Sequence, residues 1–479
     1  MKRIGRLEVI AFVTGFALMA YELVAARILA PTIGSSTYVW TSVIGVIIAA
    51  LSLGYWAGGR LADMRNNPID VVGLNLLSAA GAIVTYLTYG PVLEWVVTTS
   101  DDPRGQAVLA SIVLFVPTSF VLGMISPYLA KLNVTSLSTS GQAIAHLSAL
   151  NSVGGIAGTF MTGFVLFGAI GSRQTLAIVV VMLVLVSWLL VPRLYIWQRA
   201  AVSVGLLALT LVPAAGDAGA IIVDTPSATY RVETVQYGDD EVVGLLAGPR
   251  GIQSGVYSDG RPDLAFWYTR ELARLALEEQ PKDILVLGGG AFVLPQFLGV
   301  NMPDSHIDVV EIDEKLLDTA REYFNYTDPT NVTPIFGDAR AYLERTDRQY
   351  DMIMVDVYSD LQIPFTLMSA EYGRLIAERL RENGLVAMNL VAGLAPGPCR
   401  DVFAAFDRTY RQELPYGAYS TQVNQTLIRG NHVVVYGRQP IEIDGLKSLK
   451  PLDGPLYTDD FTPSERLSQA CEQERQRYI

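Results

Sequence analysis

Along the first 216 residues the apolar positions run together in long blocks rather than in the striped pattern of surface helices. These blocks cover 7–30, 38–59, 71–93, 107–130, 143–170 and 175–192. A bilayer core takes about 20 apolar residues per helix, so the pattern predicts six membrane spans. A seventh run, 200–215, is shorter and holds Pro213. At about 1.5 Å per residue it covers roughly 24 Å against a core of about 30 Å. It reads either as a tilted interfacial helix or as a span in a locally thinned bilayer. The first block is too long for a cleavable signal peptide, carries Glu22 and Arg27, and is followed by further spans.

From residue 217 onward the rhythm changes to short runs broken by turns. Thr229–Gln236 and Glu241–Leu246 alternate as strands, with Gly238-Asp239-Asp240 between them. Asp263–Glu279 has helical spacing. Short apolar strands are then expected at Asp283–Leu287, His306–Ile312, Val332–Phe336, Tyr350–Asp356 and Gly384–Leu390. Helices are expected at Glu314–Phe324, 338–345 and 369–382. That alternation implies a parallel sheet with helices on both faces. Three domains follow: a transmembrane domain of six to seven helices over 1–216, a small β-subdomain over 217–262, and an α/β domain over 263–479.

Composition sharpens the division. The 479-residue chain is 51% hydrophobic and 17% charged, with a net charge of −12 and a mean hydropathy of +0.32. Residues 1–216 hold 11 Lys/Arg and 7 Asp/Glu, a formal +4, which leaves −16 for the remainder. The acidic balance argues against nucleic acid as a partner. Two cysteines, Cys399 and Cys471, make no disulfide framework, and with three histidines they make no zinc site. Lys2, Arg3, Arg6, Arg60, Arg65, Lys131, Arg193 and Arg199 fall on one set of loops, and only Arg104 and Arg173 on the other. The expected N-terminus is therefore cytoplasmic.

Within the spans, Gly54/Gly58 and Gly154/Gly158 predict close helix packing, and Pro117 and Pro127 predict kinks in the fourth span. Glu22 and Arg27 lie five residues apart, roughly 140° around a helix, so they do not pair with each other. They are expected in a polar cluster whose further member is Asn151, with His146 as another partner.

Ligands of a parallel sheet bind beyond the carboxyl ends of its strands. Gly288, Gly289 and Gly290 close the first of these strands and let the backbone approach a nucleoside. Glu311 follows Gly288 by 23 residues, an offset suited to a carboxylate on both ribose hydroxyls. Asp338 with Ala339 follows the third strand, where an adenine amine would lie, and Asp356 ends the fourth, facing the reacting centre. Each carboxylate alone reads as a cap or a solvated turn; together, in this order, they point to a nucleoside site. The sequence Gly288-Gly-Gly-Ala-Phe-Val lacks the dinucleotide fingerprint.

These residues carry a resemblance. Ile284-Leu-Val-Leu-Gly-Gly-Gly290, Val309-Val-Glu-Ile-Asp313, Phe336-Gly-Asp-Ala339, Tyr350-Asp-Met-Ile-Met-Val-Asp356 and Leu456-Tyr-Thr-Asp-Asp-Phe-Thr-Pro463 resemble the spermidine synthase family of aminopropyltransferases over 222–470. That family shares the Rossmann-like sheet of S-adenosylmethionine methyltransferases. Ala20-Tyr-Glu-Leu-Val-Ala-Ala-Arg27, Gly54-Tyr-Trp-Ala-Gly-Gly-Arg-Leu-Ala-Asp63 and Leu150-Asn-Ser-Val-Gly-Gly155 are similar to the membrane half of membrane-embedded, fused spermidine synthase-like proteins.

The resemblance implies transfer of an aminopropyl group from decarboxylated S-adenosylmethionine, as co-substrate, to a diamine such as putrescine. It implies spermidine and methylthioadenosine as products, and no metal. Glu311 would hold the ribose, Asp338 the adenine, and Tyr268, Tyr358 and Tyr416 the diamine. The proton acceptor would be Asp356 or Asp360, with Asp356 preferred because the fourth strand fixes it. The implied setting is a multi-pass cell-membrane protein whose catalytic domain is cytoplasmic, where the donor is made. Its partners are a lipid bilayer and a diamine or polyamine, with a homodimer left open.

Three departures from the family pattern bear on the donor. Ala291 stands where the family has an aspartate that contacts amines. Asp356-Val-Tyr-Ser-Asp360 is one residue longer than the usual loop. Arg231, after Tyr230, replaces a glutamine. Loss of the aspartate and gain of the arginine suit the carboxylate of intact S-adenosylmethionine. A methyltransferase acting on a membrane-borne acceptor, and a non-catalytic polyamine or nucleoside sensor or transporter, therefore stay beside the aminopropyltransferase.

Overall fold

In the computed structural model the chain forms two compact units, Met1–Tyr230 and Arg231–Ile479. The structure describes residues 5–100, 102–134, 140–190, 195–212, 220–248, 251–357, 367–420, 430–463, 466–468 and 470–471.

The first unit is helical. Its long helices are α1 (Arg6–Ile33), α2 (Thr37–Arg65), α3 (Pro68–Thr99) and α4 (Pro103–Asn133). A fifth runs through α5 (Ser140–Met161), a π turn at Thr162–Leu166 and α6 (Phe167–Ala169). These five helices are long and apolar enough to cross a membrane. The sixth and seventh expected segments fall on shorter helices, α7 (Gly171–Ser187, 17 residues) and α8 (Ile196–Leu209, 14 residues). Gly171, at φ +82°, breaks the chain between α6 and α7. A short strand, β1 (Ile221–Asp224), follows.

The small residues read from the sequence lie at helix crossings. A Cβ on Gly154 would sit 1.9 Å from the Phe12 carbonyl oxygen, and one on Gly58 would sit 2.4 Å from that of Met124. Backbone packs on backbone there, so no side chain fits. Asn151 Nδ2 fastens the same α1–α5 seam by donating to the Ala11 carbonyl at 3.0 Å. α4 stays continuous through Pro117 and Pro127. In the turn before Pro117, the Leu114 carbonyl accepts Tyr21 Oη at 3.2 Å and Thr85 Oγ1 at 2.8 Å. Large apolar side chains such as Trp40, Ile48 and Trp56 on α2, and Ile156 and Phe160 on α5, point outward.

The second unit opens with the antiparallel strands β2 (Thr229–Tyr237), β3 (Asp240–Ala247) and β4 (Ile252–Tyr257), and the division between the units falls inside β2. Then come α9 (Trp267–Glu279), β5 (Asp283–Leu287), α10 (Val293–Asn301), β6 (His306–Glu311) and α11 (Lys315–Tyr323). Next are β7 (Val332–Phe336), α12 (Ala339–Arg345), β8 (Tyr350–Val355), α13 (Ala370–Arg379) and β9 (Leu380–Ala392). The remainder is α14 (Pro398–Tyr410), β10 (Tyr416–Ser420), β11 (Gly430–Gly437) and β12 (Leu446–Ser448).

The eight-stranded sheet has the order β12-β10-β11-β9-β8-β5-β6-β7. Strands β9-β8-β5-β6-β7 are parallel, and β11, β10 and β12 add antiparallel. Alternation within the strands builds two cores. Leu285, Leu287, Ile353, Val355 and Met388 join α12, α13 and α14 on one face. Ile284, Val286, Met352, Met354 and Ala387 join α9 and α10 on the other. Strand order reverses direction between β5 and β8, the place where such a sheet opens a crevice.

Cys399, in the first turn of α14, is disulfide-bonded to Cys471, so the two cysteines form one bridge.

The helix seams are testable. Gly154→Leu and Gly58→Leu are expected to lower unfolding stability by about 1–3 kcal/mol or more. Gly59→Leu, where nothing lies within 4 Å of an added Cβ, should leave the melting temperature in detergent unchanged.

Candidate active site

The site is built at the carboxyl ends of β5, β6, β8 and β9. After Leu287 the chain turns through Gly288-Gly289-Gly290. Gly288 takes φ +91°, and a Cβ there would lie 2.2 Å from the Asp356 carbonyl oxygen. Gly290 takes φ +52°, and a Cβ there would meet Ser254 Oγ at 2.6 Å. The glycine loop is thus pressed between the end of β8 and strand β4. Ser254 Oγ also accepts the Ala291 N–H at 3.0 Å, and Ala291 itself is fully buried.

Glu311 holds this loop in shape. Its Oε2 accepts the N–H groups of Gly289 and Gly290, each at 2.9 Å, and its Oε1 accepts that of Asp313 at 3.0 Å. Burial pushes its carboxyl up from the ordinary range, and the three backbone donors pull it back down. A carboxylate offers about four acceptor positions, so a further donor can still be received.

Asp356 follows β8 beside the glycine loop, its N–H donating to the Leu287 carbonyl at 2.9 Å. The residue keeps a partial opening to the surface, while its carboxyl group is enclosed by protein. Asn389 Nδ2, at the carboxyl end of β9, donates to Asp356 Oδ1 at 2.9 Å. The Tyr268 hydroxyl, from the first turn of α9, lies 3.3 Å from the Gln253 carbonyl and within hydrogen-bond reach of the same carboxylate. Burial pushes the Asp356 carboxyl up to about 6, against the two hydrogen bonds that lower it. A carboxylate in that range is poised to exchange a proton near neutral pH.

Other expected residues stand elsewhere. Asp338 is exposed and caps α12, its Oδ1 accepting the Ala341 N–H at 2.8 Å, with buried Ala339 behind it. Arg231 stands on β2, where its Nη1 is 3.9 Å from Glu233; its buried Nε has no hydrogen-bond partner among the described residues. Tyr416 is not brought to the site. It pairs with Gly437, which pairs with Leu385, four residues before Asn389 on β9, so it lies toward the amino ends of the parallel strands and away from Asp356. Asp360 and Tyr358 lie outside the described residues.

The expected cluster in the helical unit resolves into separate contacts. Arg27 donates from Nη1 to the Thr225 carbonyl at 3.0 Å and from Nη2 to that of Pro226, and it lies over the Phe167 ring. Asn151 bonds α1 near Ala11, and His146 pairs with Glu8 at 3.1 Å. Glu22 is half-buried on α1 and touches neither Arg27 nor Asn151 through a hydrogen bond or ion pair among the described residues. Arg27 donates to backbone carbonyls of the segment after β1, and Asn151 to one across the α1–α5 seam.

Residues 265–391 match the family model described as the spermine/spermidine synthase domain. The α/β unit carries a spermidine synthase domain. The chain is 34% identical over 140 residues to the "Probable polyamine aminopropyl transferase" of Bifidobacterium longum, covering 29% of this chain and 31% of that one. It is 28% identical over 243 residues to the "Polyamine aminopropyltransferase" of Vibrio vulnificus, covering 45% of this chain and 80% of that one. It is 32% identical over 130 residues to "Putrescine N-methyltransferase 2" of Nicotiana tabacum, covering 25% of this chain and 36% of that one. The chain thus spans about a third of the Bifidobacterium and Nicotiana proteins. The matched segment holds the glycine loop, Glu311, Asp356 and Asn389. Asn389, Asn431 and Ser254 are site residues that motif reasoning passed over. The signal for Asn389 was a lone amide near the end of the apolar run Leu385–Ala392.

The enclosed carboxyl has a stability consequence. The fold prefers Asp356 protonated, so its contribution is fully present below the ordinary value of 3.8 and is lost as pH rises through about 6. Asp356→Asn should therefore raise the melting temperature at about pH 8, and the gain should vanish at about pH 4. Gly288→Ala should weaken nucleoside binding at least tenfold by calorimetry, because the loop must move off the Asp356 backbone.

Proposed function

We propose that the chain is a membrane-embedded aminopropyltransferase that moves the aminopropyl group of decarboxylated S-adenosylmethionine to a diamine such as putrescine. The observation that carries the reading is the enclosed Asp356 carboxylate, held by Asn389 and Tyr268 beside a glycine loop shaped by Glu311. In the reaction a neutral amine attacks the aminopropyl carbon next to the sulfonium. The C–N bond forms as the C–S bond breaks, its electron pair leaves with sulfur, and methylthioadenosine departs as a neutral thioether. The new ammonium sheds its proton to Asp356. The glycine loop receives the nucleoside, and the remaining acceptor position of Glu311 takes a ribose hydroxyl. Tyr268 presents its ring to the cationic diamine.

Five helices of sufficient length support the membrane setting. The loop charges favour a cytoplasmic N-terminus, and a donor made in the cytoplasm favours the synthase domain on the same side, which calls for an even number of spans. The Cys399–Cys471 bridge favours a second reading, because disulfides persist in oxidising compartments: the synthase domain then faces away from the cytoplasm. Protease protection in sealed inside-out vesicles separates the two. Digestion of the domain supports the cytoplasmic reading, and protection supports the other.

The donor also has a second reading. The lost aspartate at Ala291 and Arg231, whose Nε has no hydrogen-bond partner among the described residues, suit the carboxylate of intact S-adenosylmethionine. Calorimetry with both forms tests it; the expected result is binding of the intact form at least as tight as of the decarboxylated form. A strong preference for the decarboxylated form would remove this reading.

For the reaction itself, the purified full chain should release methylthioadenosine from decarboxylated donor and putrescine. Asp356→Asn should cut that rate at least a thousandfold with little change in donor affinity. Release of S-adenosylhomocysteine instead, or an unchanged rate in the variant, would contradict the assignment.

A further inference from the structure

Three adjacent strand ends carry a row of polar side chains across the face that α9 covers. Asp356 follows Val355, whose partner on β9 is Met388, so Asp356 and Asn389 are neighbours across the strands. On β11, Val433 pairs with Asn389 and Asn431 with Val391, which puts Asn431 diagonally beside Asn389. The contacts run in one direction. Asn431 Nδ2 donates to Asn389 Oδ1 at 3.0 Å, and Asn389 Nδ2 donates to Asp356 Oδ1 at 2.9 Å.

A carboxamide placed next to a carboxylate has two orientations, and only one presents a donor. Asp356 can only accept, so the Asn389 nitrogen faces it, and Asn431 supports that orientation by supplying a donor to the Asn389 oxygen. Asn389, at the centre of the row, is 5% exposed, and Asp356 and Asn431 on either side of it are half-buried. Neighbouring residues on this face, Ala387, Val433 and Val435, are apolar core.

We infer that Asn389 and Asn431 form a two-residue amide relay that positions Asp356 and holds it as a carboxylate for proton acceptance. The inference rests on Asp356 being the proton acceptor proposed above. Asn389 touches no reacting atom and is a positioning residue; Asn431 acts through Asn389. The relay occupies Oδ1 of the carboxylate. The titratable side chain packed against Asp356 from another element is Tyr268 on α9. Among the described residues no charged side chain enters its surroundings.

The relay makes a graded prediction. Asn389→Leu keeps the volume and removes the donor to a charged group, an interaction equivalent to about one to two pH units. The acid limb of kcat should move up by at least about one unit, with KM for the donor changed less than about twofold. Asn431→Ala frees the Asn389 amide to turn and should give a smaller shift in the same direction. In the double variant Asn431→Ala should add nothing, because its effect passes through Asn389. Asn389→Gln, which retains the donor, should restore part of the wild-type profile.

The same variants in nanodiscs can be titrated by infrared difference spectroscopy, with the Asp356 carboxyl band assigned by its absence in Asp356→Asn. An upward shift of that band in Asn389→Leu, or in Asn431→Ala where the first variant does not fold, supports the relay. Unchanged band and acid limb in both variants overturn it. A shifted band in a protein that releases no methylthioadenosine leaves the relay standing and rejects the aminopropyltransferase reading instead.

Discussion

Everything at the candidate site turns on keeping one carboxylate out of water and still able to ionise. Asp356 lies against the Gly288 backbone so closely that no Cβ fits between them. Burial of its carboxyl favours the protonated form, and the hydrogen bonds from Asn389 and Tyr268 offset part of the cost. The glycine loop, the Glu311 carboxylate that fixes it, and the amide row on β9 and β11 all follow from this demand. A more open site would leave the carboxylate at its ordinary value, a weak base at neutral pH. A tighter one without donors would leave it permanently protonated.

The parallel sheet was legible because its strands are short apolar runs closed by chemistry-bearing residues. Leu287 leads into the glycines, Val310 into Glu311 and Val355 into Asp356, each at the carboxyl end where ligands bind. Two roles changed once neighbours were visible. Asp338 spends an oxygen on capping α12. Tyr416 lies toward the amino ends of the parallel strands, because β10, antiparallel to β11, runs in the same direction as β9 and Tyr416 begins it. Asn389 and Asn431 were hidden for a different reason: 42 residues separate them, and their partnership is set by strand register, which no local motif encodes.

The helical unit follows different physics. Its apolar blocks announced helices, but the length of each helix depended on where the chain broke: the break at Gly171 begins α7, which ends at Ser187 after 17 residues. Several of its polar residues serve backbone carbonyls. Arg27 and Asn151 donate to backbone carbonyls, and Tyr21 and Thr85 serve the Leu114 carbonyl beside Pro117. In surroundings poor in water an unpaired carbonyl is costly, so such side chains are explained by the backbone before any ligand is needed.

The central claim is that Asp356 accepts the reaction's proton from an enclosed position. Its most direct measurement is the pH dependence of single-turnover aminopropyl transfer by the full chain with saturating donor and diamine. The account predicts a rate that falls about tenfold per unit of pH below about 6, where burial has moved this carboxyl. A rate that stays level down to about pH 4, the range of an ordinary exposed aspartate, would contradict it.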